Sequence, residues 1–130
     1  MTAELTYLAY TAMLSAALWI VYIAAQVVTN GPFTPQNYKD PTQRPVPLWG
    51  MRAHRAYLNS VETFAPFAAL VLILHVTNQE NSTTAMLCMA FFWLRVIHAV
   101  VYWFAIPLVR TLAFTAAFIC VVGLFWQVVT

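Results

Sequence analysis

The sequence predicts an all-α fold, an integral membrane bundle of four helices. Three observations lead there. Of the 130 residues, 62% are hydrophobic and only 8% charged, where soluble domains run near a quarter charged. A chain of this length builds one compact domain, whose core cannot hide so much apolar surface, so the solvent is lipid. The apolar residues also fall into four runs, each long enough at about 1.5 Å per residue to cross a hydrocarbon layer of about 30 Å. The net charge of +2 is too small and too scattered for a nucleic-acid partner.

The spans are expected at 5–28, 48–77, 83–104 and 108–129, within a single domain covering 1–130. The first is uncharged. It does not read as a signal peptide, because Glu4 stands where a basic region belongs and the run exceeds the roughly 7–15 residues of a signal core. The connection at 29–47 holds Pro32, Pro35, Pro41, Pro45 and Pro47 and reads as an extended, non-helical loop. "NQENS" is a short polar turn. Only Ala105, Ile106 and Pro107 separate the last two spans, which makes those helices antiparallel neighbours, with Pro107 suited to the opening turn of the fourth. Cys88 and Cys120 lack Cys-x-x-Cys spacing and read as buried thiols rather than a disulfide or zinc motif.

Basic residues set the expected orientation. Lys39, Arg44, Arg52, Arg55 and Arg110 lie at the first or third connection, whereas the other side offers Glu4 and Glu80. The positive-inside rule puts the 29–47 loop in the cytoplasm and both termini outside. If the chain is bacterial, the membrane is the inner, cytoplasmic one.

Polar residues inside the spans carry the functional signal. Arg52, Arg55, Asn59, Glu62 and Pro66 are spaced three, four, three and four apart, and Arg95, His98 and Tyr102 repeat the three-four step. Such spacing keeps each set on one helix face. Counting from the outer boundary, Arg95 lies ~18 Å deep, Glu62 and His98 ~22 Å, and Asn59, Tyr102 and Arg110 ~27–28 Å. A charge facing lipid at the centre of the layer costs about 2.5–3.5 kcal/mol, so the stripes should face each other or a ligand. A purely structural Glu62–Arg95 pair is the bland alternative, but buried pairs rarely add net stability. It would also leave Arg52, Arg55 and Arg110 without counter-charge, and unmatched positive charge in a cleft invites an anion. A cation transporter centred on Glu62 would need a negative cavity. Haem ligation by His54, His75 and His98 fails on depth, since His75 sits near the outer boundary. No metal and no haem are expected.

The pattern Arg52-x-x-Arg55-x-x-x-Asn59-x-x-Glu62-x-x-x-Pro66, then Arg95-x-x-His98-x-x-x-Tyr102 and an arginine opening the fourth span, resembles the MAPEG family, the membrane-associated proteins in eicosanoid and glutathione metabolism. The likeness is greatest to its short bacterial branch. The resemblance implies a homotrimer that binds glutathione between subunits near the cytoplasmic face. Glu62 would receive the ammonium of glutathione, Arg55 and Arg95 its carboxylates, and Asn59 and Tyr102 would add hydrogen bonds. Arg110 would be the catalytic residue at the sulfur, with Arg52 and His98 as further candidates. A lipophilic small molecule would enter a groove between the first and fourth spans, past Trp19, Tyr22, Phe114 and Phe118. The implied function is a glutathione-dependent transferase or peroxidase acting on lipophilic electrophiles. The alternative is a non-catalytic lipid- or glutathione-binding scaffold, since one branch of the family activates a partner enzyme. Tyr57 stands where relatives often carry histidine and Leu58 where eicosanoid-forming members carry a further arginine, so prostaglandin or leukotriene synthesis is not implied.

Overall fold

A computed structural model of the chain describes residues 1–31 and 46–130. Most of the expected cytoplasmic loop, with Lys39 and Arg44, lies outside the described residues. Among the described residues five helices follow one another: α1 (Ala3–Ala17), α2 (Trp19–Asn30), α3 (Leu48–Val76), α4 (Ser82–Trp103) and α5 (Pro107–Val129). Helices α1 and α2 run on as one stretch, Ala3–Asn30, so four helical stretches are long and apolar enough to cross a membrane.

The first span, expected as one run at 5–28, is divided at Leu18 into α1 and α2. The helical pattern breaks at Leu18, although that residue keeps right-handed dihedrals (φ −63°, ψ −24°) and its N–H still bonds the Leu14 carbonyl at 3.1 Å. The break falls where the sequence passes from Ser-Ala-Ala-Leu to Trp19-Ile20-Val21-Tyr22-Ile23. These β-branched and aromatic residues lose side-chain freedom in a helix and favour it less.

Helix ends are set by local chemistry. Asn81 opens α4 with a capping box: its side chain accepts from the Thr84 N–H while the Thr84 hydroxyl accepts from the Asn81 N–H. Pro107 occupies the first turn of α5, where its missing N–H is harmless. Helices α3 and α4 both close with paired Schellman bonds. At α3 these are Gln79 N–H to Leu74 O (2.9 Å) and Asn78 N–H to His75 O (3.2 Å); at α4, Ile106 N–H to Val101 O (3.0 Å) and Ala105 N–H to Tyr102 O (3.1 Å). Each needs a left-handed residue, supplied by Asn78 and Ala105, both at φ 57°. Asparagine tolerates that conformation; alanine is strained in it.

Helices α3 and α4 form the centre of the bundle, with the first span on one flank and α5 on the other. Within the chain, α5 packs on α3 and α4 and meets neither α1 nor α2 among the described residues. The apolar core lies toward the end carrying the termini and the α3–α4 turn. There the Phe67 and Phe91 rings stack at 4.0 Å, surrounded by Val71, Leu74, Cys88, Ala117, Cys120 and Leu124. Both cysteines are free and buried.

A polar clamp closes the same end. The Thr84 hydroxyl donates to Glu4 at 2.6 Å and the Thr2 hydroxyl to Glu80 at 2.9 Å. His75 meets Glu80 at 3.2 Å, and Asn81 donates to Gln127 at 3.0 Å. All four spans are thereby tied together. The opposite half is packed through small residues instead: Ala25, Ala53, Ala56 and Ala99 are all buried, and Ser15 and Ser60 share a buried hydrogen bond of 2.9 Å.

Gly50 marks a close approach there. A Cβ at this position would lie 2.5 Å from Val46 Cγ1 and 2.6 Å from Ala25 Cβ. Gly50→Val should destabilise the protein by about 2 kcal/mol through overpacking, read as a lower Tm in detergent by circular dichroism. Ala105→Gly should do the reverse. Relief of the left-handed strain exceeds the added unfolded-state entropy, giving a gain of about 0.5–1 kcal/mol in the same thermal melt.

Candidate functional site

Helix α3 has 29 residues, about 43 Å at the helical rise, well beyond the hydrocarbon thickness of about 30 Å. Its first turns therefore extend past the apolar layer, which makes room for Arg52 and Arg55. Further along, Asn59 and Glu62 face the junction with α4 and α5. Pro66 lacks the N–H that would otherwise bond the Glu62 carbonyl, so that main-chain acceptor stands beside the Glu62 carboxylate. From α4 come His98 and Tyr102. The tight turn after Trp103 then brings Arg110, on the opening turn of α5, back over the Tyr102 ring, with its guanidinium carbon 4.8 Å from the ring centre.

Three cavities with shared walls result. The first, of about 260 Å³, is bounded by Asn59, His98, Tyr102, Arg110, Thr111 and Phe114. Asn59 and Tyr102 also border a smaller pocket of about 40 Å³, completed by Arg55, Leu58 and Glu62. Glu62 in turn heads a groove of about 190 Å³ whose other walls are Thr63, Pro66, Phe91, Phe114, Ala117, Phe118 and Val121. The sequence of environments is cationic, then carboxylate, then apolar. Neither Arg55, Glu62 nor Arg110 forms an ion pair among the described residues, where His75–Glu80 is the one such contact.

The structure thus brings Arg55, Asn59, Glu62, His98, Tyr102 and Arg110 onto connected walls, and sets two expected ligand contacts apart. Arg95 is only 2% exposed and borders none of the three cavities. Its Nη2–H donates to Asn59 Oδ1 at 2.7 Å, while Nε and Nη1 are buried without a partner. The bland Glu62–Arg95 pair is not formed. Arg52 donates from Nε to the Trp103 carbonyl at 3.0 Å, a cation on the C-terminal carbonyls of α4, and stands off the cavity walls. His98 is buried, with its ring 5.5 Å from Tyr102 and 6.3 Å from Phe114.

The expected substrate groove needs correction within the subunit. Phe114 and Phe118 line a groove, but its facing wall is α3, not the first span. Tyr22 stacks on His54 at 4.3 Å and borders a separate cavity of about 210 Å³ with Val46, Met51, His54 and Arg55. Trp19 is exposed. The physical reason is the helix order, which places α5 and the first span on opposite flanks. Sequence reasoning also passed over Thr63 and Thr111, because each lies one residue off the polar face yet still reaches a wall. Among the described residues no three His, Cys, Asp or Glu side chains converge as a metal cage requires.

No curated protein and no solved structure matches the chain. The sequence model of the MAPEG family matches residues 5–130, the four spans and every wall of the three cavities. The chain belongs to the MAPEG family.

Proposed function

We propose that this integral membrane protein is a glutathione-dependent transferase or peroxidase acting on lipophilic electrophiles, and that it works as a homotrimer. The observation that carries the reading is the graded wall: two arginines without an ion pair among the described residues, then a carboxylate, then a groove of phenylalanines. Glutathione has two carboxylates, an ammonium and a thiol, and the donor set fits it. Arg55 offers its guanidinium fork to a carboxylate, Glu62 an anionic partner to the ammonium, and Tyr102 and Asn59 hydrogen bonds between them. The buried, unpartnered nitrogens of Arg95 reinforce the positive character of this half of the bundle.

Arg110 supplies the chemical step. A thiol with pKa about 8.5 is a few per cent thiolate at neutral pH. A guanidinium held on the Tyr102 ring favours the ionised sulfur, each unit of pKa being worth 1.36 kcal/mol. The sulfur then attacks an electrophilic carbon presented by the apolar groove. A C–S bond forms, and the leaving group departs with its electron pair.

The trimer reading rests on charge exposure. Arg55 and Glu62 are both exposed on the isolated subunit, and Glu62 lies at membrane depth, where an uncovered charge costs several kcal/mol. Copies of the chain packed around α3 would cover it. Orientation with the 29–47 loop in the cytoplasm follows the positive-inside rule.

Arg110→Ala should lower kcat/KM for conjugation of 1-chloro-2,4-dinitrobenzene by about 10–100-fold. Because the cation lowers the thiol pKa, its loss should move the rate–pH profile to higher pH. Wild-type protein that never consumes glutathione would favour the non-catalytic scaffold instead. Glutathione titrated calorimetrically into the solubilised protein should bind saturably. Glu62→Gln should weaken that binding at least tenfold, about 1.4 kcal/mol, and equal affinity in both proteins would remove Glu62 from the site.

A further inference from the structure

We infer that Arg95 is a positioning residue that acts through Asn59, turning the Asn59 amide so that its NH₂ donates into the cavity to an oxygen of the bound ligand. The inference rests on the glutathione reading and narrows it, since the N–H donors of Asn59 then meet an acceptor oxygen of glutathione, a carboxylate or a peptide carbonyl.

The geometry leaves little freedom. A guanidinium has five N–H donors and no acceptor, so the Asn59 atom facing Arg95 at 2.7 Å is the amide oxygen. That bond fixes the side-chain plane and points the nitrogen away from Arg95. Asn59 Nδ2 donates to no described residue and is not among the buried, unpartnered atoms. Asn59 itself borders two of the cavities, including the one holding Arg110 and Tyr102. The free donors of this side chain are therefore two N–H groups at the cavity wall. Arg95 cannot take over the task, because Nε and Nη1 are enclosed and without partners and the residue lines none of the three cavities. A charged donor on the amide oxygen polarises the group and strengthens its N–H donors.

A double-mutant cycle separates positioning from contact. Glutathione affinity is measured by calorimetry on the full-length protein in nanodiscs, with Tm recorded for every variant. Asn59→Ala and Arg95→Leu should each weaken binding about tenfold, and the double variant should be less than twofold worse than Asn59→Ala alone. Losses that multiply to about a hundredfold would show Arg95 touching the ligand and overturn the inference. Asn59→Asp provides a second reading should Arg95→Leu fail to fold. It keeps the acceptor for Arg95 but has no donors, so Tm should stay at or above the wild-type value while affinity falls as far as in Asn59→Ala. Wild-type affinity in Asn59→Asp would overturn the proposal. Wild-type protein that binds no glutathione would overturn the functional reading and this inference together, whereas intact binding with multiplying losses overturns this inference alone.

Discussion

A charge carried into hydrocarbon must be hidden, neutralised or given a polar neighbour, and this requirement organises the loop-side half of the bundle. Arg95 satisfies it by burial against Asn59, with one strong hydrogen bond and two nitrogens left over. Arg52, on the turns that extend past the apolar layer, reaches the Trp103 carbonyl at the end of α4. Arg110 lies across an aromatic face, where the ring quadrupole attracts a cation. Glu62, exposed at membrane depth, has no such neighbour among the described residues, and it stands with Arg55 on a cavity wall. Arg95, Arg52 and Arg110 each meet a different neighbour, and among the described arginines only Arg55 and Arg110 stand on the cavity walls.

The two halves of the bundle divide their labour on physical grounds. The end with the termini is dense, with stacked phenylalanines inside and a clamp of carboxylates, amides and hydroxyls across its mouth. It supplies rigidity through apolar burial and directional bonds. The other half packs α2 and α4 separately against α3 through alanine, glycine and serine, while the tight turn holds α5 against α4. The space left between α3, α4 and α5 is the three-part cavity. Rigidity at one end thus permits a gap at the other, as a preorganised site requires.

Much of this was legible in the residues. Span lengths, the tight third turn and the polar stripes at Arg55–Asn59–Glu62 and His98–Tyr102 follow from counting apolar runs and helical spacing, and the structure brings these stripes onto neighbouring walls. Three features were not legible. The interruption at Leu18 depends on a local balance of propensities that no single residue announces. The separation of Arg52 and Arg95 from the cavities turns on which nitrogen finds which oxygen, whereas spacing assigns only a helix face. The groove was expected between the first and fourth spans because both are apolar and aromatic, but composition carries no information on which helices are neighbours. That is decided by packing, with Gly50 meeting Ala25 and Phe67 meeting Phe91.

The α4–α5 turn has a consequence for biogenesis. With three residues between Trp103 and Pro107 and both of its closing bonds made within the turn itself, almost no loop entropy opposes the meeting of these helices. They can enter the bilayer as a single antiparallel hairpin, already carrying Tyr102 beneath Arg110 before any other segment docks. The first span, by contrast, is joined to the hairpin by contacts more than forty residues apart in sequence, such as Thr84 with Glu4. Its attachment is then the late event, and the Tyr102–Arg110 edge would precede the wall that closes the opposite flank.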